Sequence, residues 1–197
     1  STRIEQRFEL DDPGQIWLPA AFRPVAVDAG DTGVRFDEES GTLIVDSDRE
    51  TSDGLTYSVE SAPPDTDPTT LEAASGPPPP EVAERYLALP EDFSPAVVEL
   101  AGEVTAGAAT PYQQALALQA FFLDGTFRYS LEVAPGHGSS AIEDFLERRT
   151  GYCEQFAGTY AAMARAVGLP SRVAVGYMAG DVDPADPQRH LVRGEDA

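Results

Sequence analysis

The period of hydrophobic and polar positions changes along the chain, and the changes divide it into three stretches. Residues 1–60 carry brief apolar runs separated by turn signals. These are Ile16-Trp17-Leu18-Pro19, Leu43-Ile44-Val45 and the alternating Leu55-Thr56-Tyr57-Ser58-Val59, which follows the turn dipeptide Asp53-Gly54. With Glu39-Ser40-Gly41-Thr42 as a further turn, the pattern predicts a small antiparallel sheet unit, with Trp17 engaged in packing. Residues 61–80 then lose all periodicity. Ala62-Pro63-Pro64 and Gly76-Pro77-Pro78-Pro79-Pro80 bracket a polar stretch. Proline fixes φ and removes a backbone donor, so an extended linker without regular structure is expected there.

From residue 81 the period becomes helical. Ser94-Pro95 is an N-cap with proline at the first helical position, followed by Val98, Ala101 and Val104 at spacings of three. Thr110-Pro111-Tyr112-Gln113 forms a capping-box signature ahead of a face made by Tyr112, Ala115, Leu116, Gln119, Phe122 and Leu123. That helix should stop near Asp124-Gly125. Residues 127–133 alternate and predict a strand. After the loop 134–138, Ser140-Ala141-Ile142-Glu143 opens a short helix ending around Gly151. A further helix begins near Cys153, carries Phe156, Ala157, Tyr160, Met163, Ala164 and Val167 on one face, and terminates at Gly168-Leu169-Pro170. Residues 172–178 read as a strand, 180–188 as an acidic proline-containing loop, and His190-Leu191-Val192-Arg193 as the start of another strand.

Composition removes several function classes. Hydrophobic residues make up 42% and charged residues 24%, which excludes wholesale disorder. The net charge is −21, and all 13 basic residues are arginine. A field of that sign repels phosphate backbones and anionic lipid surfaces, so nucleic-acid binding is not expected. One cysteine excludes an internal disulfide. No apolar run approaches the roughly 20 residues needed to cross a bilayer, and the first residues show no signal-peptide pattern.

Cys153 is the residue with most chemistry in reach. A helix N-terminus activates a thiol through its unpaired N–H groups and macrodipole, and those amides also face an oxyanion. Gly151, just before it, permits close backbone approach. A buried core cysteine is the competing reading and, from the local pattern alone, the commoner one. A nucleophile also needs a base, usually histidine. His137 lies in a glycine-flanked loop and His190 beside a polar loop; both suit surface roles. Two histidines and one cysteine at these spacings match no zinc pattern, so neither metal nor cofactor is expected.

The stretch from Tyr86 to Ala197 resembles a bacterial transglutaminase-like domain, related in fold to papain-like cysteine enzymes. The pieces that carry the resemblance are, in order, Thr110-Pro111-Tyr112 with Ala115-Leu116, then Phe127-Arg128-Tyr129, then Gly151-Tyr152-Cys153-Glu154-Gln155-Phe156-Ala157. Met163-Ala164-Arg165, Gly168-Leu169-Pro170-Ser171-Arg172 and Val175-Gly176-Tyr177 complete them. The β-rich region upstream resembles the one preceding this domain in TgpA-like membrane proteins. The resemblance implies an α+β fold: a small β-rich unit (1–60), a proline-rich linker (61–80) and a transglutaminase-like domain (81–197) truncated at its C-terminus.

By the same resemblance Cys153 is the catalytic nucleophile, with Tyr129, Tyr152 and Gln155 as oxyanion or cleft contributors. The family's catalytic histidine opens a His-Ala-Trp motif; Glu195-Asp196-Ala197 matches the residues before it, so neither His190 nor His137 takes the role. The implied reaction is acyl transfer from a glutamine-bearing protein or peptide, through a thioester, to an amine or to water. The implied location is the extracytoplasmic side of a bacterial membrane, held there only by segments outside this chain. The fragment itself is expected to turn over little. Two readings compete: a peptidase or amidase of the same fold, and a non-catalytic envelope module. The sequence leaves the oligomeric state open.

Overall fold

The computed structural model describes residues 3–11, 14–37, 40–64, 66–133 and 138–197. The fold is mixed α and β, as expected, and divides into two compact units: residues 1–66 with 175–197, and residues 67–174.

The first unit is built on antiparallel pairing. Strands β1 (Ile4–Glu9) and β2 (Pro24–Asp28) flank β5 (Thr56–Ser61), while β3 (Val34–Asp37) and β4 (Thr42–Val45) form a hairpin. Period-two alternation turns Leu43, Val45, Leu55, Tyr57 and Val59 inward with Leu18. Phe8 stacks on Tyr57 with ring centroids 5.0 Å apart. The Tyr57 hydroxyl donates to the Pro19 carbonyl at 2.7 Å, and burial pushes its phenol well above the ordinary range.

Residues 16–18 run beside β4, with the Leu18 amide on the Leu43 carbonyl (2.9 Å) and the Val45 amide on the Ile16 carbonyl (3.0 Å). That register turns Leu18 into the core and Trp17 out. Trp17 was expected to be packed; it is 56% exposed.

Residues 180–188 also depart from the expected structure. The acidic segment expected as a loop is a hairpin, β8 (Asp181–Asp183) with β9 (Asp186–Leu191). Asp183 accepts the Ala185 amide at 2.8 Å, an Asx-type turn, and an exposed strand accommodates Pro187. His190 therefore lies within β9. A 3-10 turn, Gly194–Asp196, follows, and the Asp196 carbonyl receives the Met178 amide at 2.8 Å.

The second unit is mainly helical. The 61–80 segment is not free of regular structure, because α1 (Pro68–Ala73) lies in it. Asp67 accepts the Thr69 and Thr70 amides, and Pro68 at the first helical position loses no intrahelical bond. Then come α2 (Pro80–Tyr86), α3 (Pro95–Thr105) and α4 (Pro111–Phe122). The predicted caps form: Ser94 receives the Val97 amide and Thr110 the Gln113 amide. The predicted faces hold at Ala101, Val104 and Phe122, which meet the core, and slip elsewhere. α3 buries Val97, Ala101 and Thr105 and exposes Val98. α4 buries Leu118 and Phe122, whereas Leu116 and Leu123 face solvent.

Of the strand expected over 127–133, only β6 (Arg128–Tyr129) exists; it pairs in parallel with β7 (Thr150–Gly151). Between them lies α5 (Ser139–Arg148), whose N-cap is Gly138 and not the predicted capping box; Glu143 accepts the Ser94 hydroxyl instead. It ends at Arg148, three residues before Gly151. Helix α6 (Cys153–Ala166) packs against α3, α4 and α5 and closes with Gly168 at φ +84°. Val97, Ala101, Leu118, Phe122, Ile142, Phe145 and Met163 form the core, at about 1.5–3 kcal/mol for each large side chain removed from water. Residues 172–178, expected as a strand, do not form one, although the Asp196 carbonyl holds the Met178 amide, and Val175 is 97% exposed. Apolar alternation supplies a strand's inward face but cannot supply its partner.

Candidate functional site

The start of α6 is where the predicted site residues meet. Cys153 is the helix's first residue, its thiol is exposed, and it is the only cysteine in the chain. Its neighbours fix it there. Gly151 is buried, and a Cβ at that position would stand 2.8 and 2.9 Å from the Phe145 ring and 3.1 Å from the Gln155 Cβ. Glycine is required for close packing of the strand against α5 and α6, not for an unusual φ. The Tyr152 amide donates to Gln155 Oε1 at 3.0 Å, so the buried Gln155 side chain satisfies a donor that the helix cannot.

Tyr152 caps the helix from half-buried surroundings, its hydroxyl donating to Glu154 Oε2 at 2.8 Å. That hydrogen bond, then burial, then the electrostatic influence of Glu154 and Cys153 raise its phenol above the usual value. Tyr129 sits opposite Gly151 in the β6–β7 register and is largely exposed, and the Ser130 amide holds the Gly151 carbonyl at 2.7 Å. Tyr129, Tyr152, Cys153 and Gln155 thus belong to one strand–cap–helix junction.

His137 lies outside the described residues. His190 belongs to the first unit, exposed on β9, with Nδ1 3.0 Å from the Ala179 carbonyl. Among the described residues, no group of three His, Cys, Asp or Glu side chains is arranged to hold a metal ion.

The structure adds residues that pattern reading passed over. Phe145 forms the wall against Gly151, inside an aromatic cluster with Phe127 at 5.4 Å and Phe156 at 5.0 Å between centroids. Arg149 follows α5 in a left-handed conformation, φ 53°, with its guanidinium carbon 5.1 Å from the Phe127 centroid and 5.7 Å from that of Phe121. It also donates to the Thr126 hydroxyl and pairs with Asp124 at 3.7 Å. Asp124 accepts the Thr126 hydroxyl (2.6 Å) and amide (2.8 Å); those bonds, with the Arg149 charge, hold its carboxyl below the usual range. The apolar run Phe121-Phe122 and Phe127 was readable as core, but nothing in the sequence marks an arginine for a left-handed position.

Comparison with known proteins matches residues 98–196 to the model of the transglutaminase-like superfamily, just over half of the chain. The protein-glutamine gamma-glutamyltransferase of Pseudomonas aeruginosa is 36% identical over 107 residues, 54% of this chain and 16% of that protein. The uncharacterized protein YebA of Bacillus subtilis is 26% identical over 106 residues, 52% of this chain and 14% of its own length. The chain therefore spans no more than 16% of these curated relatives. The periplasmic domain of TgpA from P. aeruginosa, solved bound to ethylmercury, superposes with a TM-score of 0.73 at 28% identity. That alignment covers all of this chain and 66% of the other.

Proposed function

Because the chain belongs to the transglutaminase-like superfamily, we propose that Cys153 is the nucleophile of a cysteine-dependent acyl transfer from glutamine side-chain amides. The observation that carries this reading is the placement of the sole cysteine, exposed, as the first residue of α6. The thiol gives up its proton and attacks the γ-carboxamide carbon as thiolate; that proton is returned to the leaving nitrogen as the carbon–nitrogen bond breaks, so ammonia departs and a thioester remains on Cys153. An amine then attacks the thioester to give an amide and free thiol, or water gives deamidation. First-turn amides of α6 have no intrahelical acceptor, which makes them donors available to a developing oxyanion. Tyr129 and Tyr152 form the wall beside the thiol, and Gln155 holds the cap. The proton-shuttling role is given to neither His137 nor His190.

Similarity to the protein-glutamine gamma-glutamyltransferase of Pseudomonas aeruginosa supports the choice of glutamine as donor. The periplasmic origin of the TgpA domain supports an extracytoplasmic location on a bacterial membrane protein. No helix among the described residues is long and apolar enough to cross a membrane.

The acylation half-reaction is tested with p-nitrophenyl acetate, whose leaving group needs no proton. The native chain is expected to gain one acetyl group on Cys153, faster than the urea-unfolded chain does, and to pass it to an added alkylamine. Labelling of a glutamine peptide by a biotinylated amine, weak without the proton shuttle, should occur only with Cys153 intact. Equal acetylation rates folded and unfolded, or peptide labelling that survives Cys153→Ala, would refute the assignment.

A further inference from the structure

We propose that Arg149 is a positioning residue for Cys153, acting through the turn that aims the start of α6; the proposal rests on the nucleophile reading above. Among the described residues, Arg149 is the one non-glycine with a left-handed backbone, φ 53° and ψ 32°. Directly after a helix, glycine is the usual occupant, because a Cβ is disfavoured in that conformation. A strained residue persists where its surroundings over-determine it. Here the side chain supplies them.

The guanidinium lies over the Phe127 and Phe121 rings, donates to the Thr126 hydroxyl and pairs with Asp124. All four partners belong to the end of α4 or to the segment leading into β6. The backbone makes the same connection, since the Arg149 carbonyl accepts the Arg128 amide at 2.8 Å. Only Thr150, Gly151 and Tyr152 separate this double anchor from the thiol, and each is constrained. Thr150 pairs with Arg128, Gly151 is wedged against Phe145, and the Tyr152 amide is held by Gln155. Few soft torsions remain between the guanidinium and Cys153. The arginine thereby sets where α6 begins and which way its first amides and its thiol face.

Replacing Arg149 by glycine removes the anchor and the backbone strain together, leaving the turn allowed but unheld. Lysine keeps the charge but not the planar, stacking fork. With a single cysteine in the chain, iodoacetamide alkylation reports on this thiol alone. Arg149→Gly is expected to keep the parent's circular dichroism while alkylating on the order of tenfold more slowly near neutral pH. Millimolar guanidinium chloride, but not sodium chloride at the same ionic strength, should restore the rate, and Arg149→Lys should stay slow. Parental reactivity in Arg149→Gly, or slowing that guanidinium does not relieve, overturns the proposal. So does loss of the native spectrum, because the side chain would then hold the fold and not the thiol. Alkylation needs no acyl donor, so a failure here is distinct from a failure of the acetylation test.

Discussion

Replacing Gly151 by alanine tests whether the approach to Cys153 is as tightly built as its geometry says. The added Cβ falls 2.8 and 2.9 Å from two Phe145 ring carbons and 3.1 Å from the Gln155 Cβ, well inside van der Waals contact. Phe145 is 3% exposed and touches Phe127, Phe156 and Phe122, so its ring has nowhere to retreat. Overpacking of this kind costs about 1–3 kcal/mol. For a chain of this size that lowers the thermal midpoint by roughly 2–12 °C. The assay is a thermal melt of four proteins: parent, Gly151→Ala, Phe145→Leu and the double variant. Trimming the ring makes room, so the alanine should cost less in the Phe145→Leu background. A coupling of about 0.5–3 kcal/mol is expected for groups in contact. A Gly151→Ala midpoint equal to the parent's, or two effects that simply add, would refute the wedge.

Leu118→Ala should cost about 2–5 kcal/mol, while Leu116→Ala, two residues earlier on the exposed side, should stay within about 0.5 kcal/mol; urea titrations of both check the phase of α4. Tyr57→Phe should cost about 1 kcal/mol near neutral pH through loss of the bond to the Pro19 carbonyl. Because burial raises the Tyr57 phenol, its contribution is complete below the free-phenol pKa near 10 and is lost as pH climbs above it. Melts at rising pH should thus show a shallower alkaline decline in Tyr57→Phe than in the parent. The depressed Asp124 carboxyl behaves in the opposite sense: its contribution is present above the ordinary value of 3.8 and disappears as pH falls below it. Asp124→Asn should accordingly flatten the acid limb of the stability profile, and an unchanged limb would show that the Thr126 turn is not native in solution.

Local chemistry explains which parts of this fold were legible. Ser94, Thr110 and Gly168 announce helix ends because capping partners lie within four residues. Cys153 at the start of α6 was readable for the same reason. Faces were harder. In α4, Ala115, Ala117 and Ala120 fit either phase, so Leu116 and Leu118 compete for the core, and only packing against α6 decides between them. Strands depend on partners the sequence does not name. The alternation in 172–178 finds no partner strand among the described residues, while Asp181–Leu191, acidic and containing proline, pairs with itself around an Asx-type turn. Arg149 was illegible in principle, because its conformation opposes its residue type and is held by Asp124, Thr126 and Phe127, more than twenty residues upstream.

The first unit is assembled from two pieces of chain, 1–66 and 175–197, with the whole second unit threaded between them. During synthesis, at about 5–20 residues per second, the β1–β5 segment emerges roughly 6–26 s before the β8–β9 hairpin of the same unit. Glu9 waits through that interval for Arg189, and Gln15 for Tyr177. The second unit, contiguous in sequence, faces no such delay. Part of the first unit therefore gains its partners only from residues made after the helix that carries Cys153.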